Sequence, residues 1–141
     1  MAIVYRTLPS LGCTVSVWDG DVSDKDVREH LIRLAGDPDW PPGNLNFTDL
    51  TSVRAARIPD PELVELLYEE TNLAAELKVA VLMPGDDRLG PQLDYGTAPQ
   101  SLATVTFTDF AAACAFLDVP EEPIRTTISR LRRQLAATRA D

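Results

Sequence analysis

Residues Asn44–Val53 read Asn-Leu-Asn-Phe-Thr-Asp-Leu-Thr-Ser-Val, a short apolar strand that ends in a run of hydroxyl and carboxylate groups. In an open α/β sheet, ligands and partners meet the protein at the carboxyl ends of such strands. Upstream, Ser23–Ala35 predicts a helix. Ser23 is placed as an N-cap with Asp26 three residues on, Val27, Leu31, Leu34 and Ala35 recur at helical spacing, and Gly36 and Pro38 stop the run. Downstream, Asp60-Pro61 has the form of an N-cap followed by proline in the first helical position, with Leu63, Leu66, Leu67 and Ala74 as an apolar face. The strand Leu45–Leu50 therefore sits inside an alternating α/β order.

The remaining segments extend that order in both directions. Ile3–Leu8 and Leu11–Trp18 are rich in β-branched and aromatic residues around a Pro9-Ser10 turn and predict an antiparallel hairpin, closed by Asp19-Gly20. Residues 37–43 form a Pro-rich loop. Residues 79–83 are almost wholly apolar before Pro84-Gly85, the pattern of a central strand covered on both faces. In residues 86–100, Gly90, Pro91 and Pro99 limit any helix to about two turns. Residues 102–107 alternate as a half-buried strand, and Thr108 caps a helix over 109–117 with Phe110, Cys114 and Leu117 on one face. Ile124, Ile128, Leu131 and Leu135 then draw a narrow apolar stripe along an arginine-rich helix. The expected order is β-β-α-β-α-β-α-β-α-α, with no internal repeat.

Composition narrows the function classes. A chain of 141 residues, 45% of them apolar, is long enough for one domain that buries roughly two thirds of its unfolded surface without staples. Its net charge of −9 is unevenly spread: residues 1–122 hold 8 basic and 21 acidic side chains, residues 123–141 hold 5 and 1. A body this acidic repels phosphate backbones and argues against nucleic acid as the partner. Cys13 and Cys114, each in an apolar run, read as buried free thiols. The Met-Ala-Ile-Val-Tyr-Arg start is not a secretory leader, and no run approaches the ~18 apolar residues of a membrane span, so a cytoplasmic protein is expected.

The element order, together with Asp49-Leu50-Thr51-Ser52-Val53, residues 78–83, and Val105-Thr106-Phe107-Thr108-Asp109-Phe110 followed by Ala115-Phe116-Leu117, resembles the SpoIIAA-like superfamily of STAS and anti-sigma-factor-antagonist domains. The likeness spans residues 1–118 and is nearest to bacterial STAS/SEC14-like members. It implies a mixed sheet of four to five strands with helices packed around it. Regulatory members carry an Asp-Ser-(Ser/Thr)-Gly turn after this strand, whose serine a partner kinase phosphorylates. Here Asp60-Pro61-Glu62 stands at the nearest equivalent, so that switch does not carry over, and only Thr51 and Ser52 remain as acceptors.

Other motifs dissolve on inspection. Asp19, Asp21 and Ser23 begin like a calcium loop, but Asp24 replaces its glycine and His30 its bidentate glutamate. His30, the single histidine, falls at the edge of the buried helix face and reads as a boundary residue with its hydrogen bonds met. No catalytic constellation, cofactor loop or metal spacing is legible, so no catalytic residue, cofactor or metal ligand is assigned.

The expectation is a non-enzymatic interaction module that binds a protein partner through a polar edge made of Asp49, Thr51, Ser52, Arg54, Arg57, Asp60, Glu62, Asp86 and Arg88. Residues 119–141 form an amphipathic helix whose Ile124, Ile128, Leu131 and Leu135 stripe packs on the domain or on a second subunit, making a homodimer. The alternative is a small apolar ligand or lipid in a SEC14-like pocket lined by Trp18, Trp40, Leu63, Leu67 and Leu93.

Overall fold

The computed structural model describes residues 2–37, 45–56, 78–85 and 103–140. Five strands form one mixed sheet in sequential order: β1 (Ile3–Leu8), β2 (Cys13–Val22), β3 (Leu45–Ala56), β4 (Lys78–Leu82) and β5 (Ala103–Phe107). β1 and β2 are antiparallel, and β2 through β5 run parallel. Three described helices accompany them: α1 (Asp24–Ala35), α2 (Phe110–Leu117) and α3 (Glu121–Ala140). The chain is thus mixed α/β. The predicted helix from Asp60 and the segment 86–100 lie outside the described residues.

The period-2 alternation of the strands builds two cores. Val4, Cys13, Val15, Val17, Phe47, Ala80 and Leu82 face α2 and α3, while Ile3, Trp18, Val22, Leu50, Val53 and Val81 face the opposite side, where Val27 of α1 joins them. Ile124, Ile128, Leu131 and Leu135 are all buried within the first cluster. The stripe on α3 is therefore spent within the chain, and a contact between subunits through α3 would have to use its outer, arginine-bearing face.

Local signals act where the sequence puts them. Ser23 caps α1 in a reciprocal capping box: its hydroxyl accepts from the Asp26 backbone N–H at 3.1 Å, and the Asp26 carboxylate accepts from the Ser23 N–H at 2.9 Å. The hairpin turns through a 3-10 segment, Pro9–Leu11, and then Gly12 at φ 62°, a conformation that suits a residue without Cβ. The N-cap of α2 is Asp109, one residue later than predicted, and its side chain makes no capping hydrogen bond.

Two strands are longer than expected, and this positions the site. Asp19-Gly20 does not close β2, which continues to Val22. β3 runs on to Ala56, because the two strands keep pairing in parallel past the end of the sheet proper. Register shifts between Val17 and Asp19 and between Gly20 and Asp21 absorb extra residues of β3, and Gly20 adopts φ 71° within this ribbon. β4 ends opposite Asp49, so beyond that residue β3 pairs with β2 alone among the described strands.

Candidate functional site

Asp49 occupies the last position of β3 that is paired on both sides, Val17 in β2 and Leu82 in β4. Its parity puts the carboxylate on the α3 side of the sheet, beside the core position of Phe47. The side chain is only 1% exposed, and a charge buried this far must be paired and hydrogen-bonded. Oδ1 accepts from the Thr51 backbone N–H at 2.9 Å and from the Thr51 hydroxyl at 2.7 Å. Oδ2 accepts from Nη2 of Arg132 at 2.6 Å, and the same Nη2 donates to Thr51 Oγ1 at 2.8 Å. The three side chains close a ring of charge-assisted bonds, the strong class of hydrogen bond.

Arg132 reaches this position because of where it stands on α3. It lies four residues after Ile128 and three before Leu135, on the border of the apolar stripe, so docking the stripe on the sheet carries its guanidinium to the end of β3. The side chain stays 48% exposed.

Farther along the ribbon, Arg54 grips Asp21 with two bonds, Nε to Oδ1 at 3.1 Å and Nη2 to Oδ2 at 2.9 Å. The hydrogen bonds from Arg54 hold the Asp21 carboxyl below its ordinary range, and the same contact raises the Arg54 guanidinium. Both side chains are exposed, so the clasp orders the surface more than it stabilises the fold. Ser52 lies between the two clusters, opposite Asp19 and half-buried.

Of the predicted edge residues, Asp49, Thr51, Ser52 and Arg54 thus gather at the carboxyl end of β3. Arg57, Asp60, Glu62, Asp86 and Arg88 lie outside the described residues, as do Trp40, Leu63, Leu67 and Leu93 of the alternative pocket. Sequence reasoning missed Arg132. Its signal was available: a lone carboxylate inside an apolar strand needs a cation, and an arginine bordering an apolar stripe is aimed at whatever that stripe covers. What no pattern supplied was the pairing across 83 residues.

The opposite face of the sheet corrects one expectation. His30 is a buried residue, not a boundary one. It stands edge-on to Tyr5 and Trp18, with ring centroids 5.6 and 5.9 Å away, and its Nδ1 has no hydrogen-bond partner among the described residues. Burial, aided by the nearby Arg33 guanidinium, pushes the imidazole down to about 4, so the ring is neutral at pH 7. Trp18 Nε1 and Thr14 Oγ1 are likewise buried with no partner among the described residues. An open crevice of about 200 Å³ adjoins His30, lined also by Ala2, Ile3, Asp26, Glu29 and Arg33. Cys13 and Cys114 are free and buried in the α2/α3 core, and burial pushes their thiols up to about 12 and about 11.

Chemically, the Asp49 cluster is built to hold shape. Both carboxylate oxygens are occupied by donors, which suits a support for Arg132 better than a proton acceptor. Among the described residues no three His, Cys, Asp or Glu side chains are grouped to hold a metal ion, and no described helix is long and apolar enough to cross a membrane. No family model, curated protein or solved structure matches this chain.

Proposed function

We propose that this chain is a non-enzymatic, cytoplasmic interaction module of the SpoIIAA-like type, which binds a protein partner through the carboxyl edge of β3. The observation that carries the reading is the ring of Asp49, Thr51 and Arg132, together with the Arg54–Asp21 clasp. These fix a polar surface on a ribbon that extends beyond β4. Polar groups held rigid at a strand end form a surface that a partner meets with little ordering cost. A five-stranded mixed sheet with helices packed on it is the α/β class that the resemblance implies, and the two free, buried thiols suit a reducing compartment.

The test is quantitative capture from the source cells with the intact chain, its Ser52→Arg variant and a Lys25→Glu control on exposed α1. The reading expects a stoichiometric partner that is lost with Ser52→Arg and kept with Lys25→Glu. Capture unaffected by Ser52→Arg would overturn it.

A second reading, a binder of a small apolar ligand, draws on the buried Trp18 Nε1 and His30 Nδ1 on the α1 face, which have no partner among the described residues. Native mass spectrometry of freshly purified chain decides it: a retained small adduct that disappears with Trp18→Phe supports a ligand, and the bare mass of the chain opposes one.

A further inference from the structure

We infer that Arg132 and Arg125 form a carboxylate-binding site along α3, and that the partner segment they take is acidic. This rests on the interaction-module reading and assigns the chemistry of its partner.

Arg132 is held before any ligand arrives. The ring uses Nη2 alone, with Asp49 and Thr51 as its two acceptors, while Nε and Nη1 take no partner among the described residues. A guanidinium has five N–H donors in a rigid fork, so about three remain on the exposed side. A guanidinium fixed from behind by a buried carboxylate loses little side-chain entropy when a further carboxylate accepts from its Nε or Nη1.

Arg125 lies seven residues earlier, on the same side of α3 and about 10 Å away along the axis. Its guanidinium is set over the Phe110 ring at 4.7 Å, and its ion pair to Glu121, at 3.3 Å, is exposed on both sides. Surface pairs of that kind exchange readily for another carboxylate. Ser129, exposed and one turn before Arg132, adds a hydroxyl between the two forks. The matching ligand carries two carboxylates roughly 10 Å apart, the spacing of two turns of an acidic helix or of every third residue in an extended polyproline-like strand.

The charge distribution points the same way. Residues 123–141 carry five of the thirteen basic side chains and one of the twenty-two acidic ones, so this face is positive on a chain whose net charge is −9. The net negative charge of the rest of the chain repels an acidic segment, while this arginine-rich helix attracts it.

The experiment follows the arginine Nε–Hε resonances of the intact, 15N-arginine-labelled chain by NMR. The probe is the capped tetrapeptide Glu-Ala-Ala-Glu, with capped Gln-Ala-Ala-Gln and inorganic phosphate as comparisons. Saturable shifts of Arg132 and Arg125 with the Glu peptide alone are expected. Ser129→Glu, which sets a competing carboxylate one turn from Arg132 and leaves the Asp49 ring intact, should weaken binding at least tenfold with the melting temperature unchanged. Arg132→Lys, which keeps the charge but loses the Nε and Nη1 donors, should weaken binding as much, read at Arg125. Equal shifts at all exposed arginines, including Arg28 of α1, or no shift at Arg132, would overturn the assignment. Tighter binding of phosphate than of the Glu peptide would also overturn it, in favour of a phosphate site. Because this readout is Arg132 itself, a chain that captures a partner at Ser52 yet gives no Arg132 shift keeps the module reading and loses only the carboxylate one.

Discussion

Asp49 is a charge in a position normally filled by valine or isoleucine, and the fold tolerates it because three donors converge on its two oxygens. Removing the cation leaves the carboxylate facing the core with Thr51 alone. Arg132→Ala should therefore lower the unfolding free energy by about 1.5–3 kcal/mol in urea titrations, the range for a hydrogen bond to a charged group. A loss indistinguishable from that of exposed Arg130→Ala would mean that water replaces the guanidinium without cost. His30 makes a second prediction at this scale. Its folded pKa of about 4 lies below the unfolded value of about 6.5, so between these the unfolded chain binds the extra proton. Stability is then full above pH 6.5 and falls as pH drops toward 4, by about 3 kcal/mol. His30→Phe should flatten the part of the pH dependence that the carboxylates do not supply; an unchanged slope would show that the ring is not buried neutral.

Among the elements, the helices were the most legible in the sequence, because caps and periodicity act locally. Ser23 and Asp26 marked the start of α1, and the Ile124, Ile128, Leu131 and Leu135 spacing marked the buried face of α3. The strands were legible in place but not in length. Asp19-Gly20 carries a turn signal, and nothing local says that β3 will offer a partner to pair with beyond it, so the ribbon emerges only from tertiary pairing. The same limit hid Arg132 from Asp49, and hid the enclosure of His30 by Tyr5 and Trp18. Two predictions belong to this scale. Ser23→Ala removes the hydroxyl half of the capping box while the residue-23 N–H keeps the Asp26 carboxylate, and should cost about 1 kcal/mol, read as a lower urea midpoint at constant slope. Leu135→Ala, at the far end of the α3 stripe and 1% exposed, should cost about 2–5 kcal/mol. A value near zero would show that the last turns of α3 do not dock.

At the scale of the whole molecule, an acidic body carries its basic segment folded against its own sheet, and Arg132 ties that segment to the strand end proposed to meet the partner. The tether makes the recognition edge composite: β3 supplies Thr51, Ser52 and Arg54, and α3 supplies the arginines. Association through such an edge is electrostatically steered, and should slow as ionic strength rises past the range where the Debye length falls below about 10 Å. The most direct measurement places a photo-crosslinking benzoylphenylalanine at Ser52 in the full chain, with the same residue at Lys25 on the outer face of α1 for comparison. The account predicts one discrete protein adduct from the Ser52 position and none from Lys25. A crosslink from Lys25 alone, or equal crosslinking from both, would contradict the claim that the carboxyl edge of β3 is where this protein meets its partner.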